Sequence, residues 1–413
     1  MPTPLSRRNF LAAGAAVSLG GILGVRPRLV RAEVDETGTA ADVIPVRNPS
    51  ALPESLPCQR IALGVPDDYK PCVARLPNGD LVLSAFHQHQ PEPGKVLEQN
   101  LLFRSGDGGL TWSDPQELDL LGREPYLSVL RDGTLFLTGH LLAHDVRNAH
   151  GYTHGYLHRS EDAGRTWETI RFDSDELGKP GASNHSSRNV LELADGTLLL
   201  GVDCDGGGGP YFTWRSTDGG LTWDRSRRCQ PEGLTPGSKF ESAYGYFGGE
   251  TVLWQAPSGR LFAFVRVDSK EFPIAGRPAV PGEGDQEDHE ILYESADEGL
   301  SFTRLDDLGD FGQMYPSVLP LVDDRLLLTF TVRALNPPLG VQAVFGHETD
   351  AGPRFDFSRD RLLLDAKTPP DQPSGGGFGR TVALDDGTLV TSYSYRGADA
   401  KTHLEVVRWR LPA

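Results

Sequence analysis

The chain is short of basic residues, methionine and cysteine. Its 413 residues include 40 Lys and Arg against 57 Asp and Glu, with four Cys and two Met. Five of the Arg lie in the first 32 residues, which hold no acid, so the rest of the chain has a net charge of −22. Binding of nucleic acid requires basic patches, so this balance argues against a nucleic-acid partner. An anionic ligand is still allowed, because a local group of Arg can override the net charge.

The few cysteines form no C-x-x-C metal motif. Two sequence-local disulfides, Cys58–Cys72 and Cys204–Cys229, and four free, buried thiols are both open, because connectivity cannot be read from sequence. Long apolar runs and helical periodicity are also missing beyond the N-terminus, which favours an all-β chain. No segment after the N-terminus is apolar enough to span a bilayer.

The N-terminus is predicted to be a targeting segment. The run Ser6-Arg7-Arg8-Asn9-Phe10-Leu11 resembles the twin-arginine (Tat) export motif and precedes an apolar stretch too short for a membrane span. We expect a signal peptide over residues 1–32, a polar linker over 33–57 and one domain over 58–413. Such a protein would be periplasmic or secreted.

Glycine is abundant, and much of it belongs to one phrase that occurs four times. The pattern S-x-D-x-G-x-T-W, degraded in its last copy, is found at residues 105–112, 160–167, 216–223 and 295–302. Its Asp can accept hydrogen bonds from N–H groups in its own turn, its Gly supplies a positive φ, and its aromatic ring can be buried. The pattern therefore predicts a structural turn rather than a catalytic site.

A second repeat predicts hairpins. A turn of the D-G type lies between strand-like segments six times, at Gly79, Gly133, Gly196, Gly259, Asp324 (as the Gly equivalent) and Gly387, in steps of 54, 63, 63, 65 and 63 residues. Six units of about four strands indicate a six-bladed β-propeller. Residues 59–65, which precede the first hairpin, are expected to pair with the C-terminal strand at 404–411.

The repeated phrase resembles the Asp-box of sialidases, whose fold is a six-bladed β-propeller. The resemblance implies a sialidase-like glycoside hydrolase acting on terminal, acidic sugars of a glycan or oligosaccharide. We expect no cofactor and no metal, and a monomer. Two alternatives stay open: a propeller that binds glycans without catalysis, and a lyase acting on uronate-containing polysaccharide.

The loops at one mouth of such a propeller precede the first strand or follow the second strand of each unit. In the fourth unit, Glu250 lies nine residues before Gly259 and Arg266 seven residues after it. These offsets resemble the sialidase blade in which a Glu assists a nucleophilic Tyr and an Arg binds the substrate carboxylate. The same two residues could instead form a structural ion pair across the hairpin.

The sequence departs from sialidases at two positions. Tyr69 replaces the first-unit Arg, and Phe378 replaces the nucleophilic Tyr of the sixth unit. Tyr315 holds the corresponding position one unit earlier, and we expect it, with Glu250, to be among the most reactive groups of the site. The complete prediction is that the catalytic residues are Glu250, Tyr315 and Asp145 (a loop acid), and that the substrate-binding residues are Lys70, His87, Arg123, Arg188, Arg266, Arg333 and Arg380. Histidines between residues 87 and 158 match no metal motif and are interpreted as sugar-binding groups.

Overall fold

A computed structural model describes residues 42–204, 209–233, 250–267, 288–365, 367–369 and 376–412. Throughout these ranges the regular structure is β-strand, without a helix, so none of the described segments is a helix long and apolar enough to cross a membrane. The predicted signal peptide at 1–32 lies outside the described residues.

The strands follow one another along the chain in three groups. The first group is β1 (Val43–Arg47), β2 (Ser55–Leu63), β3 (Asp68–Arg75), β4 (Leu81–His89), β5 (Leu97–Ser105), β6 (Gln116–Leu118), β7 (Arg123–Val129), β8 (Leu135–Leu141), β9 (His154–Ser160) and β10 (Glu168–Arg171). The second is β11 (Asn184–Ser186), β12 (Leu191–Glu192), β13 (Leu198–Cys204), β14 (Tyr211–Ser216), β15 (Arg228–Pro231), β16 (Thr251–Gln255), β17 (Leu261–Val267), β18 (His289–Ser295) and β19 (Ser301–Leu308). The third is β20 (Gln313–Pro320), β21 (Leu326–Val332), β22 (Gly340–Thr349), β23 (Gly352–Phe355), β24 (Arg361–Leu363), β25 (Thr381–Ala383), β26 (Leu389–Arg396) and β27 (Thr402–Trp409).

Consecutive strands pair antiparallel, as meanders. Two sheets have four strands each, in the orders β3-β4-β5-β6 and β10-β9-β8-β7. A nine-stranded sheet runs β11-β13-β14-β15-β19-β18-β17-β16, with β12 on β13, and its strands β15 and β19 pair parallel. A ten-stranded sheet runs β20-β21-β22-β24-β1-β2-β27-β26-β25, with β23 on β22. The all-β prediction is confirmed.

The turns and boxes form as predicted. The five turn glycines have φ between 79° and 94°, and Asp324 takes the same left-handed conformation at 62°. In the first box, Asp107 accepts hydrogen bonds from the amides of Leu110 and Thr111 and from the hydroxyl of Ser105, at 2.8–3.0 Å. The Trp112 indole donates to the Gly109 carbonyl, 3.1 Å away, and its ring is buried. The box is therefore a turn that anchors an aromatic ring.

The two ends of the domain meet in one sheet. Strand β2 pairs with β27 over Cys58–Trp409 to Leu63–Leu404, which confirms the expected pairing of residues 59–65 with the C-terminal strand. The segment expected to be a linker is not a linker throughout. Residues 43–47 form β1 between β2 and β24, because the alternating Ile44 and Val46 bury their side chains in the core.

The core lies between neighbouring meanders. Phe136 and Leu157 of β8 and β9 pack with Leu200 and Trp214 of β13 and β14, for example. Free thiols are found at Cys58, Cys72 and Cys229, so neither sequence-local disulfide is present. Burial raises the pKa of the Cys72 and Cys229 thiols, which fits their place in the core.

Candidate active site

Three strands carry the same local distortion. Lys70, Glu124 and Tyr315 each precede a proline, which lies eight residues before the turn position of its hairpin. All three have a left-handed backbone, with φ of 47°, 55° and 61°, and each sits at a register shift in its strand pair. Such a bulge re-aims the side chain of the extra residue. The three bulges turn an ammonium, a carboxylate and a phenol toward one another.

The Glu124 carboxylate is held by cations from three strands or loops. Lys70 Nζ donates to Oε1 at 2.5 Å, and Arg188 Nη1 donates to Oε2 at 2.6 Å. Arg123 Nη2 lies 3.5 Å from Oε1. Burial would raise the pKa of Glu124, but Lys70, Arg188 and Arg123 outweigh it and hold this pKa well below its usual range. Glu124 is therefore a charged carboxylate in a buried place.

Glu250 joins the same network from the fourth unit. It accepts a hydrogen bond from Arg266 Nη1 and lies 3.0 Å from Arg188 Nη2. Asp288 holds the other edge of Arg266, with Nε at 2.9 Å and Nη2 at 2.7 Å from Oδ2. Arg266 is 1% exposed, whereas the Glu250 side chain keeps 18% of its surface in contact with solvent. The predicted ion pair across the hairpin is therefore present, and Glu250 also reaches solvent.

The Tyr315 hydroxyl lies among cations. Its oxygen accepts from Arg333 Nη1 at 2.8 Å and from Lys70 Nζ and Arg266 Nη1, each at 3.5 Å. The Tyr315 ring packs edge-on against Phe378, with 5.9 Å between centroids, so Phe378 helps to fix the orientation of the Tyr315 ring. Arg266 Nη1 donates to both Tyr315 and Glu250, so the phenol and the carboxylate share one donor nitrogen.

We call this set the charged cluster. Its members come from five successive units and are Lys70, Arg123, Glu124, Arg188, Glu250, Arg266, Tyr315 and Arg333. Seven of the ten residues predicted for the site are therefore brought together. Cations within 3.5 Å stabilise negative charge as it develops on the Tyr315 oxygen, which is what an attacking phenol requires.

The other three predicted residues make their contacts elsewhere. Asp145 is buried and forms a two-pronged ion pair with Arg147, at 3.0 and 2.8 Å. His87 pairs through Nδ1 with Asp68 at 2.6 Å. Arg380 donates to the Leu127 carbonyl, and its guanidinium lies over the Tyr126 ring. None of these contacts is with a member of the group formed by the other seven.

Sequence reasoning missed the buried acids around the cluster. Glu124 could have been found, because the proline that follows it lies eight residues before its hairpin turn, as do the prolines that follow Lys70 and Tyr315. Glu98, 3.3 Å from Arg123, and Glu290, which accepts from the Tyr315 amide at 3.1 Å, carried no such signal. Burial raises the pKa of both carboxyls, that of Glu290 well above its usual value. Burial therefore favours the neutral form of Glu290, which lies under the Tyr315 backbone.

Histidines surround the site without forming a metal centre in the described part of the chain, where no three His, Cys, Asp or Glu are suitably grouped. Burial, followed by the neighbouring His185, lowers the pKa of His140 well below its usual value, so this imidazole is neutral. Its ring lies edge-on to His185 with centroids 5.1 Å apart.

Comparison with known proteins agrees with the all-β fold. Residues 67–235 match the family described as BNR repeat-like domain. Three solved structures are similar: a protein of unknown function from Dyadobacter fermentans (TM-score 0.61, 19% identity, 86% of this chain and 98% of that one), a leech intramolecular trans-sialidase (0.57, 13%, 83% and 68%) and an α-L-arabinofuranosidase from Fusarium graminearum (0.52, 15%, 83% and 93%). The chain matches no curated protein.

At these identities the structural likeness concerns the fold alone. Residues 67–235 match BNR-like repeats, and the described residues have a sialidase-like, all-β fold, as the Asp-box had indicated. This fold is shared by glycosidases of more than one kind, since both sialidases and an arabinofuranosidase are similar to it.

Proposed function

We propose that the protein is a retaining glycoside hydrolase that removes terminal sugars from glycans and uses Tyr315 as its nucleophile. The observation that carries this proposal is the Tyr315 hydroxyl within 3.5 Å of Lys70, Arg266 and Arg333, beside a carboxylate that shares one of these donors. A phenol held only for structure would not need three cations around its oxygen.

The reaction follows from this geometry. The Tyr315 oxygen attacks the anomeric carbon while its proton passes to Glu250, and the glycosidic C–O bond breaks. The leaving oxygen takes a proton from water at the open side of Glu250. A second water then attacks the anomeric carbon, gives its proton to the hydroxide left by the first water, and releases the Tyr315 oxygen, which takes its proton back from Glu250. The product keeps the original anomeric configuration. Neighbouring Arg and Lys stabilise the charge on the phenol oxygen in both steps.

Acidic sugars are the first candidate substrates. Five cations line the cluster: Lys70, Arg123, Arg188, Arg266 and Arg333. Burial raises the pKa values of Glu98 and Glu290, and this reduces the negative charge that opposes the cations. An Arg guanidinium binds carboxylate through two parallel hydrogen bonds. An acidic sugar would therefore find unneutralised positive charge at the mouth.

A second candidate is a neutral sugar, and one contact favours it. Glu124 already occupies Lys70 and Arg188, at 2.5 and 2.6 Å, so a substrate carboxylate would have to compete for these cations. The similarity to an α-L-arabinofuranosidase is in keeping with this alternative.

We further propose that the fold is a six-bladed β-propeller and that the chain is exported through the twin-arginine route, acting as a monomer in the periplasm or outside the cell. Six apolar clusters between successive meanders, and the pairing of β2 with β27, support the blade count. Export is supported by the sequence of residues 1–32.

The test is a panel of 4-methylumbelliferyl glycosides, acidic and neutral, whose leaving group needs little protonation. We expect fluorescence from at least one sugar and a loss of at least about 100-fold in kcat for Glu250→Gln. Glu294→Gln, which breaks a surface pair with Arg260, is the matched control and should keep full activity. Equal rates for the wild type and Glu250→Gln would exclude Glu250 as the group that accepts the Tyr315 proton. Binding without release would indicate a non-catalytic protein, and an unsaturated product from polyuronate would indicate a lyase.

A further inference from the structure

A cavity with a volume of about 420 Å³ lies outside the charged cluster and shares no residue with it. Its walls are Arg47 and Asn48 at the end of β1, the loop 335–337, Phe357 and Arg361 at the start of β24. Two of its features, the arginines and the aromatic ring, have no explanation in the proposed hydrolysis.

The two arginines face each other across a strand pair. Arg47 of β1 and Arg361 of β24 are direct cross-strand partners, and like charges in that position destabilise a sheet. Neither guanidinium has an ion-pair partner among the described residues. The pKa of Arg361 is lowered to about 10, mainly by burial and to a smaller extent by the charge of Arg47. The opposing charge of Asp310 does not offset this decrease.

Arg361 is 8% exposed, so this cation is buried, and the opposing charge of Asp310 acts on it without an ion pair among the residues that the structure describes. Its Nε donates to Gln342, and its guanidinium lies over the Phe330 ring at 5.3 Å, but the buried Nη2 has no hydrogen-bond partner in the same part of the chain. Arg47 donates to the Pro337 carbonyl, at 3.1 Å, through Nη1. An anion in the cavity would pair the free donors and remove the repulsion between the arginines.

The remaining walls indicate what carries the anion. The volume is far larger than one inorganic ion needs, because a water molecule occupies about 30 Å³. Leu335 is 48% exposed, and Phe357 presents an aromatic ring, so part of the lining is apolar. Such a wall suits the face of a sugar ring.

We infer that Arg47 and Arg361 form a binding site for the carboxylate of a monosaccharide-sized acidic ligand, whose ring packs against Phe357. The site is separate from the charged cluster, so its existence does not depend on the proposed hydrolysis.

The test is isothermal titration calorimetry with sodium glucuronate, and with glucose as the uncharged match. We expect wild-type protein to bind glucuronate and not glucose, and binding at least about tenfold weaker in Arg47→Gln and in Arg361→Gln. Arg325→Gln, which breaks an exposed pair with Asp323, should bind glucuronate as the wild type does.

Three results would overturn the inference: no binding of glucuronate, equal binding of glucose, or full binding in Arg47→Gln. Loss of binding in Lys70→Gln together with full binding in Arg47→Gln would move the ligand to the charged cluster. Since Arg361 is buried and its replacement can unfold the protein, the exposed Arg47 gives the deciding variant, with its melting temperature measured alongside.

Discussion

Lys70 Nζ lies 2.5 Å from Glu124 Oε1, although the two residues are 54 positions apart. Each precedes a proline at an equivalent bulge of its own meander, so the contact joins matching places in two successive units. The pair determines what the neighbouring Arg188 can bind, because Arg188 donates to the same carboxylate.

Replacing Glu124 by Gln should therefore destabilise the protein and change its preference for substrates. Loss of the charge leaves buried cations unpaired, and we expect a decrease of about 3 kcal/mol in the free energy of unfolding at pH 7. The freed Lys70 and Arg188 should favour acidic over neutral glycosides in kcat/KM. Both are measurable, by urea unfolding and by the glycoside panel.

The pH dependence gives a sharper check on Glu124. The pKa of Glu124 in the folded protein is depressed, because Lys70, Arg188 and Arg123 outweigh the effect of burial. Its contribution to the free energy of unfolding is therefore present above the unfolded pKa of about 4.3 and is lost only as the pH falls through the lower folded pKa. The stability difference between the wild type and Glu124→Gln should be constant from pH 7 to pH 5. A difference that disappears by pH 5 would show that Glu124 is not held as a charged group.

Glu290 should show the opposite pH dependence. Burial raises its pKa, so its contribution is fully present below about pH 4.3 and is lost as the pH rises through the folded pKa. Relative to Glu290→Gln, the wild type should lose stability between pH 4 and pH 8, as measured by urea unfolding at several pH values. Glu54→Gln, at an exposed site, is the control and should show no trend. A flat difference for Glu290→Gln would mean that this carboxyl is charged throughout.

The boxes should contribute to stability and not to activity. Asp107→Asn loses one of the two carboxylate oxygens that accept from the Thr111 amide and hydroxyl, and we expect a decrease of about 1–2 kcal/mol in the free energy of unfolding at pH 7 with unchanged kcat. Burial alone would raise the pKa of Asp107, but these hydrogen bonds lower it, so the loss should fade as the pH falls below about 4. The exposed Asp114→Asn serves as a control in thermal and urea unfolding. A large fall in kcat for Asp107→Asn would contradict a purely structural box.

The sequence predicts what local chemistry encodes and misses what depends on distant contacts. The D-G turns and the boxes could be located because each is completed within a few residues. Strand β1 was missed, since its five residues gain their burial only from β2 and β24.

The candidate site follows the same division. Glu250, Arg266 and Tyr315 could be found by counting from the hairpin turns, which set the direction of the neighbouring side chains. Asp145 could not be assessed in this way, because its role depends on the ion pair with Arg147 in an irregular loop. The contact between Lys70 and Glu124 depends on two bulges, whose direction the sequence does not reveal.

The central claim is that Tyr315 forms a covalent bond to the sugar. Its most direct test is mass spectrometry of the protein after treatment with a fluorinated glycosyl fluoride made from the sugar that the panel identifies, since the added fluorine slows breakdown of the intermediate. We predict one glycosyl adduct on the peptide that contains Tyr315, no adduct in Tyr315→Phe, and a fall in kcat on the order of 1,000-fold or more for that variant. Tyr395→Phe should label and turn over as the wild type does. An adduct on Glu250 or another residue, or full activity in Tyr315→Phe, would contradict the account.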